Sequence, residues 1–453
     1  MSYPSLDLYV LTFNCGHNLI DVPSLSSTLF NAVDHLPDLV VISLQEISPM
    51  SHGLVGGTLL SPYYNRVKDA VEIAARNLSD TSSIRCGSQP TIYTNVATRN
   101  IGMTVIMAFA RDAEAVRNIQ TAEVGLGISN IGTKGAVGLR FTYADVRKDG
   151  ETELTFVAAH LAAMEWDMER RNEDWRNIVK GLVFSSGTDD DDADAMKDGS
   201  QGREEGASLL PTKKAYNGIY KPTSHLFLAG DLNYRTSSIK PSPTDHEDAF
   251  PQPYHLKTSP QHYSVLYQND QLNQERLAGR TCHGLIEAPV TFPPTYKYDP
   301  AEQPAMKADE ELDFWHWAPH RWPSWTDRIL FLDVPEWLER ENPKAKIQLG
   351  KYIALPLFST SDHRAVALNV KLPLIRIPEP DEEEDADSTD PRVRPPFEVD
   401  PEWRTKRAVA RKEELFIGIS GFLTATWEGW CVVLGTIAGV VGGYFLLRAA
   451  LDF

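Results

Sequence analysis

Three short segments gather the residue types that phosphate-ester chemistry needs: HLFLAGDLNYR (225–235), RWPSWTDRILFL (321–332) and SDHR (361–364). Cleaving a phosphomonoester requires charge neutralisation on the phosphoryl oxygens, an activated water and a stabilised leaving oxygen. In the first segment an apolar run ends at Gly230, and Asp231, Asn233 and Arg235 follow where a turn of backbone can approach a substrate. Taken alone, this GDxN reads equally as a turn closed by an Asx hydrogen bond. The second segment sets Asp327 and Arg328 just ahead of another apolar run, and the third sets Ser361, Asp362, His363 and Arg364 before AVALNVKL. Together they allow a division of labour: Asp231 as base for a water, Asn233 to orient that water or the phosphate, and Asp327 to hold the His363 imidazole beside the phosphoryl oxygens.

Two earlier strand ends widen the set. FNCGHN presents Asn14, and SLQEI presents Gln45 and Glu46. Mg²⁺ takes one or two protein carboxylates and fills its other positions with water and phosphate, so Glu46 with Asn14 nearby suffices to hold it. The loop GTKGAV (132–137) adds Lys134, AAHL adds His160, and FPPTYKYD adds Tyr296 and Lys297. Lys134 and Arg328 are expected among the contacts to an anionic substrate.

For these groups to meet, the runs that precede them must be strands. LDLYVLTF, DLVVISL, IGMTVIMAFA, AVGLRFTY, LTFVAAHL, HLFLAGDL, RILFL and AVALNVKL all read so, several of them apolar on both faces as in a buried sheet. Over 165–182, Met168, Trp175, Ile178, Val179 and Leu182 recur at helical spacing, which predicts a helix lying on a sheet. The pattern is α+β, with layered sheets covered by helices in one catalytic unit over residues 1–372. Residues about 185–215 interrupt it with Ser, Gly and the aspartate run 189–192, and read as a mobile acidic insert.

Asp and Glu number 62 against 44 Lys and Arg, a net −18 that disfavours general nucleic-acid binding. Cys15, Cys86, Cys282 and Cys431 lie far apart with no CxxC pair, which fits neither a zinc site nor a secreted disulfide framework. The N-terminal MSYPSLDLYVLTFN lacks the pattern of a signal peptide and starts as a strand. Residues 373–414 read as a disordered acidic, proline-rich linker ending in a basic juxtamembrane segment with Arg404, Lys406, Arg407, Arg411 and Lys412. As a coil, such a linker spans roughly 35 Å.

Residues 415–453 form a hydrophobic tail in which the uncharged run 430–447 meets the ~17 to 25 residues of a membrane span. The basic cluster on its near side places the catalytic unit in the cytosol, and it also suits anionic headgroups. Gly435, Gly439 and Gly443 form GxxxG steps that would let two such helices approach in a weak homodimer.

These motifs resemble the inositol polyphosphate 5-phosphatase family of the DNase-I-like metal-dependent phosphoesterases. FLAGDLNYR and RWPSWTDRIL resemble its two signatures, and PTYKYD and SDHRAV occur in the expected order, over about residues 5–372. The resemblance implies a four-layer α/β/β/α sandwich, with strand ends forming one cleft and the apolar tail as a transmembrane helix outside it. It implies Mg²⁺ on Glu46 with Asn14 close by and Asp362 near the metal or its waters. Asp231 would activate the water, Asn233 would position the scissile phosphate, His160 and His363 would donate to its oxygens, and Asp327 would orient His363. Tyr296, Lys297 and Arg321 would grip the neighbouring 4-phosphate. Thr133, Phe13 and Pro319 depart from the Asn, Trp and Lys usual in the family.

The apolar tail makes the chain similar to tail-anchored phosphoinositide 5-phosphatases. That implies a cytosol-facing endoplasmic reticulum enzyme that converts phosphatidylinositol 4,5-bisphosphate to phosphatidylinositol 4-phosphate. The alternatives are the outer mitochondrial membrane for location and, for activity, a soluble inositol polyphosphate 5-phosphatase or a membrane-bound sphingomyelinase-like phosphodiesterase. A catalytically dead lipid-binding tether is disfavoured by retention of Glu46, Asp231, Asn233 and His363.

Overall fold

The computed structural model describes residues 3–79, 91–186, 217–302, 312–381 and 388–451. Strands β1 (Ser5–Asn14), β2 (Leu39–Gln45), β3 (Thr94–Ile101), β4 (Thr104–Ala110), β12 (Gln348–Ala354) and β13 (Val366–Pro373) form one sheet in the order β12-β13-β1-β2-β4-β3. Strands β5 (Val116–Gly125), β6 (Gly135–Asp145), β7 (Gly150–His160), β8 (Ser185–Ser186), β9 (Ser224–Asp231), β10 (Ile286–Glu287) and β11 (Asp327–Phe331) form the other, in the order β10-β11-β9-β7-β6-β5-β8.

Alternation along each strand builds the layers. Leu6, Leu8 and Val10 of β1 enter the cluster between the sheets with Phe156, Phe227, Ile329 and Val366. Tyr9, Leu11 and Phe13 point the other way, against helices α1 (Val22–Thr28) and α3 (Ser61–Leu78), the latter burying Val67, Ala70, Val71 and Ala74. On the far side, helix α4 (Met168–Gly181) buries Trp175, Ile178 and Val179 against Val157, Leu226 and Leu228, as its spacing predicted. The result is the expected four-layer α/β/β/α sandwich.

An aromatic ladder crosses the inner core. Phe141, Phe156, Phe227 and Phe331 stack in sequence, with centroids 5.7, 5.5 and 5.8 Å apart. The same register that pairs Phe156 with Phe227 and Phe227 with Phe331 pairs His160 with Asp231 and Asp231 with Asp327 at the strand ends. In the other sheet β1 runs parallel to β2, so Asn14 lies opposite Gln45 at the same end of the molecule.

Outside the sandwich, the insert and the linker fare differently. Of the insert about 185–215, Ser185 and Ser186 pair with β5, and residues 187–216 lie outside the described residues. The linker expected to extend away is folded onto the domain over its described part: Arg392 and Val393 are buried, and a helix runs from Trp403 to Ala425 with Ala410 and Glu414 fully buried. Arg392 explains part of this, because it donates to Asp390 at 2.7 Å and to the Asp333 carbonyl, which pins the segment. A second helix, Trp427–Leu451, has a mean hydropathy of 2.0 and none of its apolar window buried.

Candidate functional site

Strand ends bring the chemistry-bearing residues of both sheets to one place. Asp231 closes β9 and is 1% exposed. Its Oδ2 accepts from Asn14 Nδ2 at 3.0 Å across the two sheets, and it lies 3.3 Å from His160 Nε2 and 4.0 Å from His363 Nε2. Burial pushes the Asp231 carboxyl up, but His160, His363 and Lys134 outweigh it and hold it well below the usual carboxylate range. Asp231 Oδ1 accepts from the Asn233 amide at 3.1 Å, so the Asx turn is present and lies within the site.

His363 and Asp327 form the pair expected of them, with Nδ1 and Oδ2 2.9 Å apart. Thr295 and Thr326 donate hydroxyls to the same oxygen at 2.7 and 2.9 Å. Burial alone would lower the His363 pKa, but Asp327, Asp362 and Asp231 surround the ring and raise it to about 10. The imidazole is therefore a cation at neutral pH, with Nδ1 committed to Asp327 and Nε2 turned toward Asp231.

Glu46 follows β2 in a left-handed backbone conformation (φ 49°), and Asn233 takes another (φ 57°). Such conformations cost on the order of 1–3 kcal/mol for a non-glycine residue and persist where the surroundings enforce them. Around Glu46 stand His17 Nε2 at 3.1 Å, Lys134 Nζ at 3.4 Å and His160 Nε2 at 3.8 Å. Lys134 also meets the His160 ring. Burial raises the Glu46 carboxyl, yet His160, Lys134, His17 and His363 together hold it below its ordinary value. His160 is fully buried, and burial followed by Lys134 lowers its pKa despite Asp231.

On the other flank Lys297 Nζ donates to Asp362 Oδ2 at 2.6 Å, and Asp362 Oδ1 is 3.8 Å from His363. The Tyr296 ring packs on His363 with centroids 4.5 Å apart, and Arg235 lies 4.4 Å over its centre. Arg321 pairs with the buried Glu165 at 3.1 Å.

The donor set suits Mg²⁺. Glu46 is ionised and partly open, Asn14 Oδ1 accepts only from Gly16 at 3.0 Å among the described residues, and Asp362 is half-buried and ionised. Hard oxygen donors in this number match a cation that keeps waters and substrate oxygens. Asp231, Asp327 and His363 also place ligand atoms within 4.8 Å of one another, but Asp327 and His363 are already spent on each other.

Arg328 is corrected. It was expected to touch substrate, but the side chain is fully buried, pairing with Asp270 at 3.0 Å and with Glu287 of the neighbouring strand β10. The strand that places Asp327 at the site directs its neighbour to the opposite face. Sequence reasoning gave Arg235 no specific role and left three supporting groups, His17, Thr295 and Thr326, out of the site. Arg235 donates to both Asn233 oxygens, His17 pairs with Glu46, and Thr295 and Thr326 fix Asp327. Their proximity to the motifs, within NYR, NCGH, PTYK and WTD, was the available signal. Phe13, in place of Trp, is accommodated edge-on to Phe358 at 5.3 Å.

The model of endonuclease/exonuclease/phosphatase family 2 matches residues 11–369. The chain is 25% identical over 378 residues to inositol-1,4,5-trisphosphate 5-phosphatase 1 of Schizosaccharomyces pombe, covering 83% of this chain and 28% of that protein. It is 26% identical over 332 residues to synaptojanin-2 of Rattus norvegicus, covering 72% and 17%. This chain therefore spans less than a third of either relative. The solved inositol polyphosphate 5-phosphatase domain of SPsynaptojanin, with inositol (1,4)-bisphosphate and calcium, shares the fold at a TM-score of 0.55 and 22% identity, covering 91% of this chain and 90% of that one.

Proposed function

Because the chain belongs to the endonuclease/exonuclease/phosphatase family 2, we propose that it is a Mg²⁺-dependent 5-phosphatase acting on phosphatidylinositol 4,5-bisphosphate. The observation that carries this reading is the convergence of Asn14, Glu46, His160, Asp231, Asp327 and His363 from separate strands around one buried carboxylate. The cations Lys297 and Arg321 at the side of that cluster supply what a second phosphate on the ring needs.

Asp231, held ionised and steered by the Asn14 amide, receives the proton of the attacking water. Asn233, fixed by Arg235, orients the scissile group. His363, cationic and backed by Asp327, donates through Nε2 to a phosphoryl oxygen, with His160 on the opposite side. Glu46, with Asn14 and Asp362 beside it, would hold Mg²⁺, and the ion would supply charge neutralisation for the phosphoryl and leaving oxygens.

A lipid rather than a soluble substrate is supported by exposed apolar side chains near the site. Met164 and Trp166 follow the His160 strand end and are 40% and 58% exposed, and Met164 touches Arg321. The apolar Trp427–Leu451 helix supports attachment to a membrane, with the endoplasmic reticulum as the proposed location and the outer mitochondrial membrane as the alternative. Phosphate release by the full chain from a panel of lipid and soluble inositol phosphates, with Mg²⁺ or with chelator, tests all of this. Faster turnover of soluble inositol phosphates than of every lipid would remove the lipid assignment. Undiminished turnover by Asp231→Ala would remove the mechanism.

A further inference from the structure

The helix Trp403–Ala425 docks through one stripe: Arg407, Arg411, Glu414, Gly418 and Phe422 recur at helical spacing and all face the domain. Two pieces of backbone receive it, and both lead into the site. The first is the short helix α2 (Met50–Val55), which begins shortly after Glu46. Arg411 donates to the carbonyls of Leu54 and Val55 at 2.6 and 3.0 Å, satisfying acceptors that a helix end leaves unpaired. Gly418 lies so close that a Cβ there would meet Leu54 and Val55 at 3.0 Å.

The second piece is the loop that carries Lys134. The Gly132 amide donates to Glu414 Oε1 at 2.8 Å, a bond between residues 282 positions apart. A buried backbone N–H needs an acceptor, and here a distant helix provides it. The Glu414 carboxylate is fully buried, an arrangement that is costly unless it is paired. Arg407 donates to both of its oxygens at 2.7 and 2.9 Å, and Arg411 lies 3.3 Å from Oε2. The pairing that makes this burial tolerable is also what fixes the loop two residues before Lys134.

We propose that Glu414 is a positioning residue for the reaction: it holds the Gly132 amide and thereby keeps Lys134 against Glu46 and His160. Turnover then depends on the helix preceding the apolar tail even for a substrate free in solution. This rests on the phosphatase reading above, and it makes the segment after residue 402 a working part of the enzyme, beyond any tethering role.

The test uses the full chain in detergent with Mg²⁺ and a water-soluble short-chain phosphatidylinositol 4,5-bisphosphate. Glu414→Ala is expected to lower kcat about tenfold or more with KM little changed, because small misplacements of a catalytic group are that costly. Lys134→Ala lowers kcat as well, and the double variant is expected to be no slower than Lys134→Ala alone. A merely structural role would not give that second result. Should Glu414→Ala fail to fold, the isosteric Glu414→Gln carries the same cycle with a smaller loss. A Glu414 variant with the kcat of the unaltered chain, or losses that multiply in the double variant, would overturn the inference. An unaltered chain inactive on every inositol phosphate would instead overturn the phosphatase reading, and this inference with it.

Discussion

His363 and Asp327, 36 positions apart in the chain, meet through Nδ1 and Oδ2 at 2.9 Å, with the second ring nitrogen facing Asp231 at 4.0 Å. The carboxylate thereby fixes both the direction and the charge of the imidazole. Asp327→Asn removes the charge and keeps the shape. We expect kcat to fall by on the order of 10²–10⁴, the usual worth of a positioned acid or base, with KM little changed. Steady-state kinetics on a soluble substrate check this, and a loss confined to KM would place His363 in binding alone.

Arg328 is expected to matter for stability and not for substrate. It is 0% exposed and its partners Asp270 and Glu287 are equally enclosed. Removing one member of such a network leaves buried charge unpaired and costs about 3–5 kcal/mol. Arg328→Ala should lower the unfolding midpoint sharply, while the folded fraction keeps its KM. Arg321→Ala should raise KM about tenfold, as loss of a charge-assisted hydrogen bond of ~1.5 kcal/mol implies, and should also lower stability, because it leaves the buried Glu165 unpaired.

These two arginines show what was legible in the sequence and what was not. The central strands were visible because β1, β2, β4, β6, β7, β9, β11 and β13 each contain an apolar run, in several cases on both faces, and the site residues could be placed because they lie at the ends of those runs. Strand β3, TNVATRNI, lies at a sheet edge with an exposed, polar face and gives no alternation, and β12 is similar. IGMTVIMAFA read as one strand, yet Gly102 takes a left-handed conformation (φ 49°) and turns the chain between β3 and β4. Arg328 takes the face opposite Asp327 by alternation along β11, a consequence legible only once the register with β9 sets Asp327 beside Asp231. The fold of residues 388–425 depends on contacts with α2 and Gly132, far away in sequence, so composition alone suggested a free linker.

The ladder Phe156, Phe227 and Phe331 should govern stability through the register it shares with the site. Phe227→Ala removes the middle ring from a core with 1% exposure, and deletions of this kind cost about 3–5 kcal/mol. Denaturant unfolding of the variant measures it. A loss under ~1 kcal/mol would mean that the neighbouring rings close the gap.

His225 should make the fold acid-sensitive. Its ring is fully buried with neither nitrogen hydrogen-bonded among the described residues, and burial together with nearby Arg392 lowers its pKa to about 3. The unfolded chain takes up this proton near pH ~6.5 while the folded chain refuses it, so stability falls as pH drops through that value and goes on falling until about 3. Between pH ~7 and ~5 the loss from this group is about 2 kcal/mol. His225→Leu should flatten that part of the curve in denaturant titrations. An unchanged slope would assign the acid sensitivity to other groups.

The Trp427–Leu451 helix has a mean hydropathy of 2.0, and its side chains, among them Val432, Leu434, Ile437 and Leu446, are more than half exposed. Each such side chain gains ~1.5–3 kcal/mol on leaving water, far more in sum than a domain leaves unsatisfied on its surface. The full chain should therefore float with lipid vesicles and resist alkaline extraction. A chain ending at Thr426 keeps the docked helix and should stay in solution with its turnover of soluble substrate intact. Flotation of that shortened chain would mean that the exposed Phe416, Ile417 and Ile419, or the Met164 and Trp166 rim, bind the bilayer unaided.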